Sequence, residues 1–331
     1  MRCALALFAV TSLVCAEPYF PPLDGEWERV EPSGSGWDAA KLDEALAFAQ
    51  QRRSTGVVIL LDGKILAERS WGPDDPAIED VASVQKSVAS TLLAVALSKN
   101  LLALDDTVSQ HLGAGWSKAT PEREAQIKLR HLITMTSGLD EKLEYEAPPG
   151  TKWRYNTTAY QQTMRVLAAV SGLTPNELTK QWLTGRIGMR DTHWIERPTM
   201  PGMLGLASSA RDLARFGLLI LNRGQWAGET VVDNPDYLRA MLDSSQKLNP
   251  AYGYLWWLNG RPVVRAAGTR QPTLIPSAPS DLVAALGALG RKVYVVPSLR
   301  LVVTRIGANA QQRGEPDFDN EIWKRISAAA P

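Results

Sequence analysis

The chain has 331 residues and 45% hydrophobic composition, which is enough to bury a sizeable core in one or two domains. Lysine and arginine number 36 and aspartate and glutamate 35, so the net charge is +1. This balance argues against nucleic acid or an anionic membrane surface as a partner.

The N-terminus predicts a secretory signal peptide over residues 1–16. Arg2 supplies a short positive region, an apolar run follows, and small residues precede a cleavage site after Ala16. The run is too short to span a membrane, so we expect no stable membrane span and an exported, periplasmic or secreted protein. Both cysteines, Cys3 and Cys15, lie in this segment. The mature chain is therefore expected to have no disulfide and no cysteine metal site.

The next predicted elements are a helix and a β-hairpin. Residues 38–52 place apolar side chains at helical spacing behind Asp38, a residue type that favours helix N-termini. The following run, VVILLDGKILAERSW, predicts two strands joined by Asp62-Gly63, because both turn residues tolerate positive φ. A turn-rich loop is predicted at residues 72–80.

The middle of the chain, about residues 83–248, has a mostly helical pattern, and the C-terminal part has the pattern of strands. Loops are expected in the middle part at 114–124, 137–152 and 196–204, and an amphipathic helix at 211–223. The elements predicted after Pro250 are strands at 252–258, 284–289, 291–296 and 301–306 and a helix at 318–329. The Trp256-Trp257 pair is expected to pack in the sheet.

This order predicts an α/β fold, in the form of an α+β sandwich. One antiparallel sheet is built from both ends of the chain, and the N- and C-terminal helices flank one of its faces. The sheet domain is predicted at residues 17–82 and 250–331, and a mostly helical inserted domain at 83–249. A cleft between the two is the expected place for an active site.

The helical part opens with an apolar segment that carries one charge. From Ser83 to Ser98 the only charged residue is Lys86, which lies three residues after Ser83 and hence on the same helix face. Burial and the positive end of the helix dipole both lower the pKa of a lysine. A shift of about 3 units would make Lys86 a usable base. The backbone N–H of Ser83, at the helix start, can bind a developing oxyanion.

The spacing of this pair does not by itself establish a site. The same spacing occurs between Ser244 and Lys247, in a polar segment typical of solvated surface. For the first pair, the alternative is that Ser83 caps the helix and Lys86 extends to solvent.

Other chemistry finds little support in the sequence. None of the three histidines, His111, His131 and His193, lies in a GxSxG turn, and His131 is expected to be an ordinary helix-face residue. The chain has no HExxH motif and no GxxxxGK[ST] phosphate loop. We therefore expect neither a metal nor an organic cofactor.

A second informative stretch is PPGTKWRYNTTAY, residues 148–160. It predicts a sharp loop followed by a new helix. Tyr155 is a candidate for proton transfer, because a phenol beside an ammonium group has a lowered pKa. The alternative is a half-buried tyrosine that only packs.

Four segments in order resemble one enzyme family: SVQK at 83–86, LITMTSGL at 132–139, PGTKWRYNT at 149–157 and VYVVPSLRLVV at 293–303. They resemble the serine hydrolases related to class C β-lactamases and penicillin-binding proteins. Within that group the chain is more similar to the esterase and 6-aminohexanoate-oligomer hydrolase branch than to true β-lactamases. The resemblance spans about residues 38–325 and implies a β-lactamase/transpeptidase-like fold without a metal or organic cofactor.

The resemblance implies roles for individual residues. Ser83 would be the acylated nucleophile, Lys86 would accept its proton, and Tyr155 would help activate the serine and protonate the leaving group. The family's Lys-Thr-Gly element is matched by Ala285-Leu286-Gly287. The backbone N–H of Ala288 would then be the second oxyanion donor beside that of Ser83.

The chain departs from the family pattern at the third element. Ala285 replaces the lysine that usually binds a substrate carboxylate. Arg291 and Lys292 are nearby in sequence but follow the next glycine. This departure argues against efficient β-lactam or D-Ala-D-Ala chemistry.

A second departure concerns the tyrosine motif. The family's Tyr-x-Asn becomes Tyr155-Asn156-Thr157. Thr157 can still accept a hydrogen bond from Lys86, and Asn156 can substitute only if the turn differs. Substrate-side contacts are therefore less defined than the nucleophile.

The leading hypothesis is a serine hydrolase that cleaves an ester or amide bond of a small molecule through an acyl-enzyme. One alternative is a penicillin-binding protein, DD-peptidase or β-lactamase. Another is a catalytically inactive binding protein of the same fold, which the two departures motivate. The acyl group, the leaving group and the oligomeric state are not predicted.

Overall fold

The structure is a computed structural model that describes residues 18–198, 200–265 and 268–331. The predicted signal peptide and both cysteines lie outside the described residues, so export stays a prediction. Within the described ranges, no helix is both long enough and apolar enough to cross a membrane.

Strands occur towards both ends of the chain and helices dominate its middle. The described helices are α1 (Ala39–Gln51), α2 (Val84–Ser98), α3 (Val108–Leu112), α4 (Pro121–Glu124), α5 (Leu129–Ile133), α6 (Thr157–Ser171), α7 (Pro175–Thr179), α8 (Gly185–Ile187), α9 (Ala210–Leu221), α10 (Pro235–Met241) and α11 (Phe318–Ala329). The described strands are β1 (Ser54–Leu61), β2 (Lys64–Ser70), β3 (Glu79–Asp80), β4 (His193–Glu196), β5 (Leu204–Ser208), β6 (Gln225–Trp226), β7 (Glu229–Thr230), β8 (Trp257–Leu258), β9 (Val263–Val264), β10 (Arg270–Gln271), β11 (Val283–Leu286), β12 (Lys292–Val296) and β13 (Leu301–Gly307).

The main sheet has six antiparallel strands in the order β2-β1-β13-β12-β11-β8. Strand β1 pairs with β13, from Ser54 opposite Gly307 to Leu61 opposite Leu301, and so joins the two ends of the chain. The predicted hairpin turn at Asp62-Gly63 has φ of 50° and 87°. The predicted sheet architecture is confirmed.

Alternate side chains of this sheet enter two different cores, as the two-residue period of a strand requires. Val57 and Tyr294 face the layer formed by α1 and α11, which pack against each other. Val58 and Val293 face α9 and the helical part of the chain. Because this second core runs from the sheet into α2 without a break, the domain division at residues 82 and 250 stays a prediction.

Helix α9 lies close to the sheet because of a glycine. A Cβ added at Gly217 would lie 2.5 Å from Val302 Cγ1 and 3.1 Å from Val293 Cγ1. Only a residue without a side chain lets the helix backbone approach β12 and β13 this closely. The helix thereby closes the core on the face that also contains α2.

The middle of the chain contains a small sheet that the sequence pattern did not predict. Its strand order is β3-β5-β4, and all three strands lie within or at the edge of a loop predicted from the sequence. With two to five residues each, these strands are too short to show a clear alternation of apolar and polar residues. Helix α4 likewise lies inside the loop predicted at 114–124.

Two strand predictions near the C-terminal end were too long. Only β8 forms in the predicted strand at 252–258, because the chain turns at Leu255, where φ is 61°. The strand predicted at 284–289 ends at Leu286, and a 3₁₀ turn follows at Ala288–Gly290. These ends matter because they lie beside the candidate site.

Candidate active site

Helix α2 lies in the centre of the protein and has almost no solvent face. Every residue from Val84 to Ala96 is buried, and α6, α10 and β11 cover the helix. Several of its polar side chains have internal partners, as when Ser87 Oγ donates to the Leu255 carbonyl at 2.8 Å, whereas the side-chain amide of Gln85 is buried without a hydrogen-bond partner among the described residues. A long polar side chain on this helix is therefore removed from water.

Lys86 is only 1% exposed. Its Nζ donates to Ser83 Oγ at 2.9 Å and to Thr157 Oγ1 at 3.1 Å. The alternative in which this lysine extends to solvent is therefore wrong. Burial, assisted by the positive charge of Arg197, lowers the pKa of Lys86 to about 7. At neutral pH about half of the molecules then carry an uncharged amine, which can accept a proton.

Ser83 lies immediately before α2, at a sharp turn. Its side chain caps no backbone N–H of the helix, so its hydroxyl is available to Lys86. The preceding residue, Ala82, has φ of 51°, a left-handed conformation that is uncommon for a residue with a side chain. Ser83 itself is partly exposed, whereas Lys86 behind it is not. This arrangement presents a partly exposed hydroxyl with a buried amine behind it.

Tyr155 lies against the same lysine, with its ring centroid 4.9 Å from Lys86 Nζ. Burial raises the pKa of Tyr155 to about 12, and an interaction with the Ser83 side chain offsets this only in part. The expectation of a lowered pKa is therefore wrong. The physical reason is that the amine lies over the ring and the loss of hydration outweighs any charge effect. Tyr155 therefore keeps its proton at neutral pH.

A second tyrosine, Tyr160, completes the surroundings of the lysine and was missed from the sequence. Its ring centroid is 4.5 Å from Lys86 Nζ, and burial raises the pKa of Tyr160 far above its ordinary value. Tyr160 follows Thr157 by three residues in α6, which places both on one helix face. That spacing was the signal that could have identified it.

Asn156 does not reach the lysine, so it does not replace the family's asparagine. Its Nδ2 donates to the carbonyls of Leu139 and Asp140 at 2.8 and 2.7 Å. Its Oδ1 accepts from the Ala159 N–H at 2.9 Å and so caps α6. Asn156 therefore fixes a neighbouring loop to the helix start that follows Tyr155.

The end of β11 lies next to the Ser83 turn. A Cβ added at Gly287 would lie only 2.4 Å from the Val81 carbonyl oxygen, so the two backbones meet because residue 287 is glycine. The Gly287 N–H donates to the Arg291 carbonyl at 2.8 Å. The N–H groups of Ser83 and Ala288, in contrast, donate to no acceptor within the described part of the chain. Both predicted oxyanion donors are thus available on adjoining elements.

The family's lysine has no substitute at the third element. Ala285 is buried. Arg291 forms an ion pair with Glu79 at 3.2 Å, and Lys292 forms one with the buried carboxylate of Asp319 at 3.1 Å. Neither of these two basic residues is available to a substrate carboxylate.

The structure instead places Arg197, which no sequence pattern indicated, near the lysine. Arg197 follows β4, and its Nε and Nη2 donate to Asp80 at 2.6 and 2.7 Å. Its positive charge contributes to the lowered pKa of Lys86. The two partners of this ion pair are 117 residues apart, so no local pattern could reveal it.

Four aromatic rings form a cluster on the Tyr155 side of the site. Tyr155 stacks on Trp257 with centroids 5.9 Å apart, and both rings contact Trp153 and Tyr252. Trp257 lies in strand β8 of the main sheet, as expected, whereas Trp256 precedes that strand and is fully buried in the core. Trp257 is half-buried beside the site.

The histidines lie elsewhere and contact neither Ser83 nor Lys86 within the described residues. His131 Nδ1 accepts the Lys128 N–H at 3.0 Å, and burial together with nearby cations lowers the pKa of His131 to about 4. His111 is hydrogen-bonded to Asp106. They serve local structure, as the sequence indicated for His131.

Other candidate features are also remote from the site. Lys247, of the second Ser-x-x-Lys pair, is exposed. A cavity of about 760 Å³ lies between α9 and α10 and has none of the predicted site residues in its wall. The described ranges contain no group of three or more His, Cys, Asp and Glu side chains that could hold a metal ion.

Comparisons with known proteins give a consistent assignment of the fold. The model of the family described as Beta-lactamase matches residues 39–325. An uncharacterized protein from Alkalihalophilus pseudofirmus is 25% identical over 287 residues, which cover 75% of this chain and 82% of that protein.

Solved structures are similar over most of the chain. A proposed 6-aminohexanoate-dimer hydrolase from Bacillus anthracis matches with a TM-score of 0.73 and 15% identity, over 94% of this chain and 88% of that one. A class C beta-lactamase matches with a TM-score of 0.68 and 14% identity, over 88% and 95%. A D-stereospecific amidohydrolase from Streptomyces sp. matches with a TM-score of 0.62 and 15% identity, over 88% and 98%. At these identities the likeness concerns the fold.

Proposed function

The chain belongs to the beta-lactamase family of serine hydrolases, and from this membership we propose that it cleaves an ester or amide bond of a small molecule through an acyl-enzyme on Ser83. The observation that carries the proposal is the contact of 2.9 Å between Lys86 Nζ and Ser83 Oγ in a buried environment. A serine hydroxyl needs an adjacent base to act as a nucleophile, and an amine with a pKa of about 7 meets that need.

In the proposed acylation step, the uncharged amine of Lys86 takes the proton of the Ser83 hydroxyl while Oγ attacks the substrate carbonyl carbon. The carbonyl oxygen becomes an oxyanion and accepts hydrogen bonds from the N–H groups of Ser83 and Ala288. The hydrogen bond from Lys86 to Thr157 holds the amine in place. In this step the lysine transfers the proton, and the backbone N–H groups at the start of α2 and after β11 stabilise the negative charge of the oxyanion.

When the tetrahedral intermediate collapses, the bond from carbon to the leaving oxygen or nitrogen breaks. The leaving group takes the proton of the Tyr155 hydroxyl, and the Lys86 ammonium restores that proton. The raised pKa of Tyr155 supports this order, since the phenol carries its proton at neutral pH. Water then attacks the acyl carbon and gives a proton to the uncharged amine of Lys86. The bond from this carbon to Ser83 Oγ breaks, Lys86 returns the proton to Oγ, and the acid is released.

The surroundings of the site favour uncharged, apolar substrates. The basic residues near the third element are already paired, so a substrate carboxylate would lack its usual partner. The half-buried rings of Trp153 and Trp257 beside Tyr155 offer an apolar surface to an acyl or leaving group. These features support ester or amide cleavage over β-lactam or D-Ala-D-Ala chemistry.

A substrate panel tests this proposal: p-nitrophenyl esters of increasing acyl length, short amides and nitrocefin, with intact-mass detection of adducts. We expect turnover of esters or amides, little turnover of nitrocefin, and a transient mass increase that peptide mapping places on the Ser83 peptide. Rapid and stable labelling by a fluorescent penicillin would favour a penicillin-binding protein. The absence of any adduct would favour the inactive binding protein.

The substitution Gly287→Ala is expected to lower ester hydrolysis by up to about 10²–10³-fold, the scale of losing an oxyanion donor. The added Cβ would meet the Val81 carbonyl oxygen at 2.4 Å, so β11 must move away from the Ser83 turn. Overpacking of this kind costs about 1–3 kcal/mol of stability, which urea unfolding measures. Gly34→Ala is the control, because nothing lies within 4 Å of the added carbon there. Full activity in Gly287→Ala would show that this close contact is not needed.

A further inference from the structure

The backbone turn before Ser83 needs support, because Ala82 adopts a left-handed conformation. Such a conformation persists in a residue with a side chain only where its surroundings hold it. The Val84 N–H donates to the Val81 carbonyl at 3.2 Å and the Gln85 N–H to the Ala82 carbonyl at 3.3 Å, so the chain enters α2 directly from this turn. The direction of the Ser83 N–H and side chain depends on this geometry.

The carboxylate of Asp80 holds the turn, and Arg197 holds the carboxylate. Asp80 Oδ1 accepts the Ala82 N–H at 2.8 Å, and the two carboxylate oxygens accept Arg197 Nε and Nη2. Burial raises the pKa of Asp80, but Arg197 and the Ala82 N–H outweigh it, so the net pKa lies below its ordinary value. Asp80 is thus a fixed anion with three charge-assisted hydrogen bonds.

The small sheet β3-β5-β4 brings these partners together. Asp80 lies in β3 opposite Ala207 of β5, and β4 on the other side of β5 leads directly to Arg197. A Cβ added at Gly205 of β5 would lie 2.9 Å from Arg197 Nε and 3.0 Å from Asp80 Oδ2. The ion pair therefore packs against β5 at Gly205, where the absence of a side chain leaves space for the two charged groups.

The groups that face Lys86 come from three directions. Ser83 lies one turn before it on α2, and Thr157, Tyr155 and Tyr160 contact it from α6 and the loop before α6. None of these groups is charged at neutral pH. Among the described residues, Arg197 is linked to the Ser83 turn through Asp80 and the Ala82 N–H, and its positive charge acts on the lysine that Ser83 contacts.

We propose that the Asp80–Arg197 ion pair is a positioning device for this site, in which Asp80 holds the Ala82 turn that directs Ser83 and Arg197 places a fixed positive charge near Lys86. The proposal rests on the proposed function of Ser83 and Lys86. Neither Asp80 nor Arg197 touches the reacting atoms. Each acts through a neighbour, Asp80 through the backbone of Ala82 and Arg197 through its field at the amine.

The two halves of the pair are expected to give different defects. Arg197→Gln removes the positive charge, so the pKa of Lys86 rises and the acidic limb of the kcat/KM profile moves up by about half a pH unit or more. Arg197→Lys keeps the positive charge and is expected to return the midpoint of the acidic limb to its wild-type pH. It is not expected to return the full rate, because a lysine cannot form the bidentate hydrogen bond to Asp80. In Asp80→Asn the midpoint of the acidic limb is expected to stay at its wild-type pH or to move to a lower pH. This variant is also expected to reduce kcat about tenfold or more, with little change in KM.

The experiment combines ester kinetics with a direct titration of Lys86 by its ¹³Cε NMR signal, in the wild type and these three variants. Glu79→Gln is the matched control: it breaks the neighbouring ion pair on the same strand, and its partner Arg291 does not act on Lys86. Thermal unfolding confirms that each variant is folded.

The outcomes separate the two proposals. A wild type without an acyl-enzyme ends the proposed function, whereas the NMR titration still tests the effect of Arg197. An unchanged Lys86 titration in Arg197→Gln, or a full rate in Asp80→Asn, overturns the positioning proposal even if the wild type is an active hydrolase. A titration shift of the same size in Glu79→Gln also overturns it, because the effect would not be specific to Arg197.

Discussion

Ser83→Ala is expected to abolish the acyl-enzyme and to reduce ester hydrolysis by a factor on the order of 10⁴–10⁶. The proposed mechanism requires a covalent bond to Ser83 Oγ, and the remaining oxyanion donors can recover only a small part of the rate. The fold is expected to persist, since the Ser83 side chain caps no backbone N–H of α2. Intact-mass measurement after incubation with an activated ester checks the result, and circular dichroism checks the fold.

The chain provides a matched control for this substitution. Ser244 has a lysine at the same spacing, but it is half-buried in an irregular segment where its hydroxyl donates to the Gln246 carbonyl. Ser244→Ala should therefore keep full labelling and full activity. If Ser83→Ala were labelled like the wild type, the nucleophile would have to be another residue.

Lys86→Met is expected to reduce the acylation rate by about 10²–10⁴, the usual contribution of a general base. Methionine fills the same buried space but cannot accept the Ser83 proton. Stopped-flow measurement of the burst with a p-nitrophenyl ester isolates this step. Lys247→Met, on the surface, is the control. A wild-type burst in Lys86→Met would exclude the lysine as the base.

The pH profile gives the same prediction in another form. The wild-type kcat/KM should fall as the pH drops below about 7, because Lys86 then takes up a proton and is no longer a base. Tyr155, with a pKa of about 12, should add no alkaline limb within the usual assay range. In Lys86→Met the acidic limb near pH 7 should disappear. A limb that persists in this variant would belong to another group.

The lowered pKa of Lys86 favours activity but reflects a cost in folding stability. In the unfolded chain the lysine titrates near 10.5, and in the folded chain at about 7. Between these values the unfolded state binds more protons, so stability should rise with pH. Below pH 7 the folded protein bears the full cost of a buried ammonium. Lys86→Met should therefore be more stable than the wild type at pH 6, on the order of a few kcal/mol, by urea unfolding.

Much of the fold followed from patterns within single elements. The turn at Asp62-Gly63, helix α1 behind Asp38 and helix α11 are local features, since side-chain spacing and turn chemistry act over a few residues. The small sheet β3-β5-β4 has no such pattern in its short strands. Its formation depends on pairing between segments more than 100 residues apart, which sequence reasoning cannot evaluate.

The candidate site divides in the same way. Ser83 and Lys86 became candidates through their spacing and through the apolar segment around a single charge, and the family resemblance then implied their roles. The orientation of Asn156 could not be found in this way, because it depends on the carbonyls that the folded loop places beside it. The direction of the pKa of Tyr155 was wrong because burial, which only the packed structure supplies, outweighs a neighbouring amine.

By itself, the sequence determined the order of the elements, the sheet built from both ends and the pairing of one serine with one lysine. The elements and the Ser–Lys pair depend on periodicity and spacing over a few residues, and the sheet follows from the order of the elements along the chain. Only the tertiary structure decided that Lys86 is sealed from solvent, that Gly287 brings β11 to the Ser83 turn, and that Arg197 and Asp80 meet beside it. Burial and charge at a site are sums over neighbours that are distant in the chain, and folding determines which neighbours those are.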